Sequence, residues 1–406
     1  MVRLNYIVNA RLPTEKAHGL QIVEMCEAFS NGGYEVSLVV PRRHNTPELQ
    51  DKSIWEHYGV KPLFPVTQLW CFDLMNRASK RWIQLAFWLQ SITFYMSACF
   101  WLLRQPVEEV VYSRDLDFLW LLSWLAPRRF MVYEVHSKIS SSRWYQAKTR
   151  RVLRTTNLVV VVTNLMAEQL QALFDRQIVV ERNGFRLTRF AATSSQQQAR
   201  KRFNIPTDAL VACYVGRMDT MGMDKGVGVV VDAFACCFRE NPAWQGRLLL
   251  VGGPDTRVDE LRQQWLSLGL PAEALIAVGQ VSPSAIPEYL ASCDVCLLPQ
   301  PWTEFFAYHT SPIKMFEYMA AGKAIVATTL PSIKEILSEP DNALFVPPSD
   351  PEAMAQAFLR LTRDRKLRET MGRNNKHKAV YYSWDARALR IKALIEQAQA
   401  NFVGGR

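Results

Sequence analysis

The chain has 406 residues, 49% hydrophobic and 21% charged, which is ample apolar content for two domains of ordinary size. That balance excludes a disordered chain, and neither a low-complexity tail nor a repeat array breaks it. The net charge of +10 is uneven: residues 1–190 hold 24 Lys+Arg against 16 Asp+Glu, or +8, and the remainder hold 24 against 22, or +2. A basic first half predicts an acidic partner, with an anionic membrane surface or an anionic acceptor ranked first. Nucleic acid is not expected, because the basic residues are not interleaved with aromatics in any nucleic-acid module.

The N-terminus runs straight into a strand, Leu4 to Asn9, without the long apolar region of a signal peptide. Apolar residues from Leu20 to Phe29 give helical spacing, Asn31-Gly32-Gly33 stops that helix, and Tyr34 to Val40 is the second strand. This opens a doubly wound α/β sheet, but it lacks G-x-G-x-x-G, which disfavours a dinucleotide oxidoreductase. Trp82 to Leu103 is 22 residues without a charge, long enough to span a bilayer. The strand after it, Glu109 to Tyr112, has to join the same sheet as the strands before residue 70. The segment therefore reads as a crossover helix, mostly buried. Asp115-Leu116-Asp117 imitates a metal-binding Asp-x-Asp, and nothing else in the chain supports that reading. Phe130 to Val135 is a further strand, and His136 stands at its carboxyl end, where ligands of open α/β sheets gather. Lys148, Arg150, Arg151 and Arg154 form a basic run on the next helix.

Residues 187–206, rich in Ser and Gln, read as a linker between domains 1–186 and 207–378. Leu210 to Gly216 begins the second domain, with Arg217 at the strand end and Lys225 before a helix; a phosphate would meet both cations there. Leu248 to Gly253, Ile276 to Gly279 and Asp294 to Pro299 supply further strands. The eight cysteines include a Cys293-x-x-Cys296 pair, but no second pair or nearby His completes a metal site, so they read as core thiols of a reducing cytoplasm. From His309 to Gly322 the chain reads as a short helix, with Ser311 as cap and Pro312 at the first helical position. Lys314 in its first turn opposes the helix dipole unless an anion binds at the free amides. Glu317, among Phe316 and Tyr318, needs a partner because an unpaired buried carboxylate is costly. Ala324 to Thr328 follows as a buried strand, and Trp384 to Gln399 is a terminal helix within residues 379–406.

Ser-Pro-Ile-Lys-Met-Phe-Glu-Tyr-Met-Ala-Ala-Gly-Lys (Ser311 to Lys323) resembles the donor-site signature of the retaining glycosyltransferases of family four. The resemblance implies a GT-B fold, two doubly wound Rossmann-like domains facing a cleft, with the terminal helix crossing back onto the first domain. It implies retaining hexosyl transfer from a nucleotide-diphosphate sugar to a glycan, lipid-linked or small-molecule acceptor, in the cytoplasm or peripherally on the inner face of the membrane. No cofactor or metal is expected. By resemblance Arg217 and Lys225 clamp the diphosphate, Glu317 fixes the ribose and His136 faces the transferred sugar. Gly19, Gly279, Val281, His309, Thr310, Ser311, Ile313 and Lys314 complete the donor site. His309 departs from the pattern: it stands eight residues before Glu317, where the family has a first Glu that accepts sugar hydroxyls. A nucleotide-sugar epimerase and a non-catalytic binding subunit remain alternative readings.

Overall fold

A computed structural model describes residues 2–75, 79, 81–136, 140–220 and 222–404. The chain divides into two compact units, Met1–Arg182 with Trp384–Arg406, and Asn183–Ser383.

The first unit holds seven strands, β1 (Arg3–Ile7), β2 (Glu35–Pro41), β3 (Val66–Leu69), β4 (Val110–Ser113), β5 (Met131–Val135), β6 (Leu158–Val161) and β7 (Val179–Val180). They pair in parallel in the order β3-β2-β1-β4-β5-β6-β7. Their side chains alternate between two covered faces, and apolar residues hold most of the strand positions. Tyr6 and Tyr112 pack against each other, and Tyr112 meets Phe29 of the helix Ala17–Asn31. Ile7 and Val111 point the other way, into a cluster with Phe94, Leu119 and Val152 from three helices, Ile83–Leu102, Leu116–Leu125 and Arg143–Thr155.

The second unit holds β8 (Leu210–Val215), a two-residue ribbon of β9 (Asp219–Thr220) and β10 (Met223–Asp224), then β11 (Gly246–Val251), β12 (Leu275–Gly279), β13 (Val295–Leu298), β14 (Ala324–Thr328) and β15 (Leu344–Val346). Its main sheet is parallel with order β12-β11-β8-β13-β14-β15, so chain direction across the sheet reverses between β8 and β13. This is the switch point at which such sheets bind ligands. β8 pairs with β13 only at Ala212 and Cys213. Beyond them the Tyr318 hydroxyl accepts from Val215 N at 2.8 Å and lies 3.3 Å from Val215 O, tying the helix Ile313–Ala320 to the strand.

Three expectations need correction. The units divide at 182/183 and 383/384, not at 186 and 378, because Phe185 and Ser383 bridge each other inside the second unit. Residues 187–206 are not a bare linker. They carry a 3-10 turn, Leu187–Phe190, and a helix, Gln196–Arg202, which a Ser195–Gln198 capping box starts and a buried Arg200–Asp294 ion pair of 2.6 Å anchors. The charge-free helix, Ile83–Leu102, does cross from β3 to β4, but only seven of its 20 residues are buried, so it is not mostly buried. The terminal helix runs Trp384–Gly404 and belongs to the first unit.

Candidate active site

In the second unit the carboxyl ends of β8 and β11 converge on glycines. Gly216 has φ +143° and Gly252 φ +134°, and a Cβ on Gly252 would lie 1.9 Å from Gly216 O. No side chain fits there, so the two strand ends close into one rim. A Cβ on Gly216 would lie 3.3 Å from the Lys314 side chain, whose stem passes over this glycine. Arg217 comes next, paired to Asp219 at 3.1 Å and still half exposed. Lys225 closes the ribbon, its N–H donating to Met218 O at 2.9 Å. Burial, with Lys314 and Arg217 nearby, pushes the Lys225 ammonium down to about 8. Three cations thus converge beside the start of the helix Ile313–Ala320, a setting made for a polyanion.

That helix starts one residue later than expected. Pro312 is its N-cap and no side chain caps it. Ser311 is used elsewhere: its hydroxyl accepts from Asn183 N at 3.1 Å and its carbonyl from Asn183 Nδ2 at 2.8 Å. Lys314, the apparent misfit of the first turn, donates to Glu317 Oε2 at 2.7 Å. Glu317 is fully buried. Its Oε1 makes no hydrogen bond, and Arg189 stands 3.9 Å from it. An acceptor oxygen in that state fits a hydroxyl-bearing ligand.

His309 caps the end of the helix Glu304–Tyr308, donating its N–H to Phe305 O at 2.9 Å. Its ring is buried, with Nε2 3.9 Å from Glu304 Oε1. A carboxylate therefore stands next to the position where the family pattern has its first Glu. Thr310 Oγ1 donates to Phe306 O at 3.0 Å, which fixes the turn into Ser311. Gly279 (φ +77°) ends β12, and its carbonyl accepts from Gly252 N at 2.7 Å. Val281 is half-buried against this unit's core, and Ile313 is half-buried at the helix start.

Gly19 and His136 belong to the first unit. A Cβ on Gly19 would lie 2.2 Å from the Tyr58 hydroxyl, which accepts from Thr14 N at 2.8 Å, so this glycine is required for close packing of the loop. His136 Nε2 is 2.9 Å from Glu134 Oε1 and 3.2 Å from Gln21 Nε2, and Gln21 Oε1 accepts from Arg114 at 2.9 Å. Burial and the nearby Arg114 pull the imidazole down to about 4, so it is neutral at physiological pH. Glu134 is ionised: burial opposes its charge, but Arg387, 2.5 Å away, holds it well below the usual carboxylate range.

Sequence reasoning missed Arg189, which lay in the supposed linker; Asn183, which holds Ser311; and Arg387, which sits in an ordinary-looking polar helix. The glycine signals at 216 and 252 were legible as strand ends, but their close approach was not.

Residues 209–364 match the family model described as "Glycosyl transferases group 1". The chain is 26% identical over 208 residues to the D-inositol 3-phosphate glycosyltransferase of Corynebacterium glutamicum, covering 50% of this chain and 47% of that protein. It is 29% identical over 191 residues to the phosphatidyl-myo-inositol mannosyltransferase of Mycolicibacterium smegmatis, covering 47% of this chain and 46% of that protein. These matches span about half the length of each relative. In fold, the Anabaena protein HepE, solved with UDP and glucose, superposes with a TM-score of 0.68 at 18% identity, over 98% of this chain and 100% of that one.

Proposed function

We propose, from the premise that this chain is a group 1 glycosyltransferase of the GT-B fold, that it transfers a hexosyl group from a nucleoside-diphosphate sugar to an acceptor hydroxyl with retention of configuration. The carrying observation is the fully buried Glu317, whose Oε1 has no hydrogen bond, beside the cations Lys225, Lys314 and Arg217. The carboxylate would accept ribose hydroxyls, and the cations would hold the diphosphate.

In the reaction the bond from the sugar's anomeric carbon to the diphosphate oxygen breaks, and a bond to the acceptor oxygen forms on the same face. The acceptor proton passes to the leaving phosphate oxygen. Arg217 and Lys225 stabilise the charge that develops on the leaving group, the kind of fixed electrostatic help that dominates such steps. His136, neutral and oriented by Glu134, would hydrogen-bond the transferred sugar. His309, with Glu304 beside it, would read the sugar's other hydroxyls. The UDP and glucose of HepE make UDP and UDP-glucose the first ligands to try. The phosphatidylinositol in the name of the Mycolicibacterium smegmatis relative supports a lipid-linked acceptor, glycosylated in cell-envelope synthesis on the cytoplasmic side.

A thermal-shift panel of nucleoside diphosphates tests the site. A ligand at about 100 times its dissociation constant adds roughly 2.7 kcal/mol of stability. No shift with any of them would remove the reading. Donor turnover without an acceptor product would replace transfer by epimerisation, and binding without turnover would leave a sugar-binding subunit.

A further inference from the structure

The helix Ile83–Leu102 is apolar on both sides. Phe94, Ala98 and Leu102 recur every four residues and are buried on the sheet, and Ala86 on the same side is buried too. A second stripe at helical spacing, Leu85, Trp88, Ile92, Met96, Phe100 and, just past its end, Leu103, faces out, each residue between 51% and 61% exposed. The neighbouring helices extend it with Trp124, Leu125 and Trp144, all more than half exposed. A soluble monomer rarely presents a continuous apolar surface of this kind without a use for it.

The surroundings say what covers it. Arg104 lies 3.7 Å over the Phe100 ring, and Arg151 3.3 Å over the Trp124 ring. Arg151 also lines, with Arg150 and Arg154, a cavity of about 310 Å³. The three helices carry one acidic residue, Asp117, and it is paired to Lys148. Against this, the helix Arg143–Thr155 alone has five cations, Arg143, Lys148, Arg150, Arg151 and Arg154. A second copy docked on this face by a two-fold axis would bring two such arginine clusters into one interface with no free carboxylate among the three helices to pair them. A layer of apolar chains below phosphate headgroups matches both components, with tryptophans at the boundary.

We propose that this face seats the first unit on an anionic lipid bilayer, the helix Ile83–Leu102 lying in the plane of the interface and the Arg150–Arg151–Arg154 cavity taking a headgroup phosphate. The helix does not span the bilayer, because β3 and β4 on either side of it belong to one sheet. The proposal is independent of the transferase reading.

Flotation of the full chain with vesicles decides it, using phosphatidylcholine alone and phosphatidylcholine with phosphatidylglycerol. The chain should float with the anionic vesicles and be released by high salt or alkaline carbonate. Trp88→Glu combined with Met96→Glu should lower recovery about tenfold or more with unchanged melting and nucleotide binding, since both side chains are exposed. Arg150→Glu with Arg154→Glu should abolish the preference for anionic vesicles, each lost positive charge being worth roughly a factor of five. Wild type that stays in solution with both vesicles overturns the proposal. So does a dimer that the Trp88→Glu, Met96→Glu variant dissolves, or release by detergent alone.

Discussion

Among the described residues each unit encloses one glutamate with no exposed surface, and the two are finished differently. Glu134 has both oxygens engaged: Oε1 meets Arg387 at 2.5 Å and His136 at 2.9 Å, and Oε2 accepts from the Tyr6 hydroxyl at 3.3 Å. Glu317 has one, Oε2 to Lys314 at 2.7 Å, while Oε1 has no hydrogen bond. Burying an ionised carboxylate demands compensation in either case. In the first unit the fold supplies all of it, so Glu134 is a structural charge that aims His136. In the second unit the fold supplies part, and the remainder is what the proposed function uses to hold ribose hydroxyls.

The largest effect should come from the completed pair. Arg387→Met leaves Glu134 buried without its cation, and chemical denaturation should show a loss of about 3–5 kcal/mol. Nucleotide binding by the second unit should survive under native conditions. Equal stability of variant and wild type would mean that Glu134 is not a structural charge.

Arg217→Ala and Lys225→Ala should each lower transferase turnover by about 10²–10³-fold, the scale of a lost charge-stabilising contact, and leave the melting temperature nearly unchanged. Turnover at the wild-type rate in both would remove these cations from the reaction.

Glu317→Gln should weaken nucleoside-diphosphate binding by about 1.5–3 kcal/mol, the worth of hydrogen bonds to a charged group, as read by calorimetry. Its stability should change far less than that of Arg387→Met. If stability falls as steeply, the two carboxylates do the same work and the contrast fails.

His309→Glu adds a second carboxylate next to Glu304. It should reorder the donor sugars by kcat/KM while leaving affinity for the bare nucleoside diphosphate within about threefold, a difference below 1 kcal/mol. An unchanged ranking in both His309→Glu and His309→Ala would place this ring away from the sugar.

The smallest signal is a fraction of a proton. Lys225 titrates near 8, and a bound diphosphate stabilises its charged form, so binding at pH 8 should take up protons. Affinity should then fall as pH rises through about 8. Calorimetry in buffers of different ionisation enthalpy measures the uptake, and Lys225→Ala should abolish it.

Much of this was readable in the residues. Apolar runs closed by glycine marked the strands of the second unit, and Ala324–Thr328 has the expected bounds to the residue, because a short buried strand between Gly322 and a polar turn has little freedom. The cations at 217 and 225 were readable because a strand end fixes where they must stand. Arg189 was not, since its neighbours are polar and its value lies in a contact across 128 residues of sequence with Glu317. The exposed stripe of Ile83–Leu102 was hidden for another reason: a helix apolar all round gives no sign of which side has a neighbour.

The order in which the chain is made gives the terminal helix one more consequence. The second unit is an insertion between Arg182 and Trp384, and its whole sheet has been synthesised before the first unit's last helix begins. Until that helix arrives, three carboxylates wait for their donors: Glu24 for the Trp384 indole, Glu134 for Arg387 and Glu181 for Arg390. Domains of a nascent chain usually mature from the N-terminus onward. Here the whole of the later-made unit is available to fold while the earlier one still lacks the indole and the two arginines of its last helix.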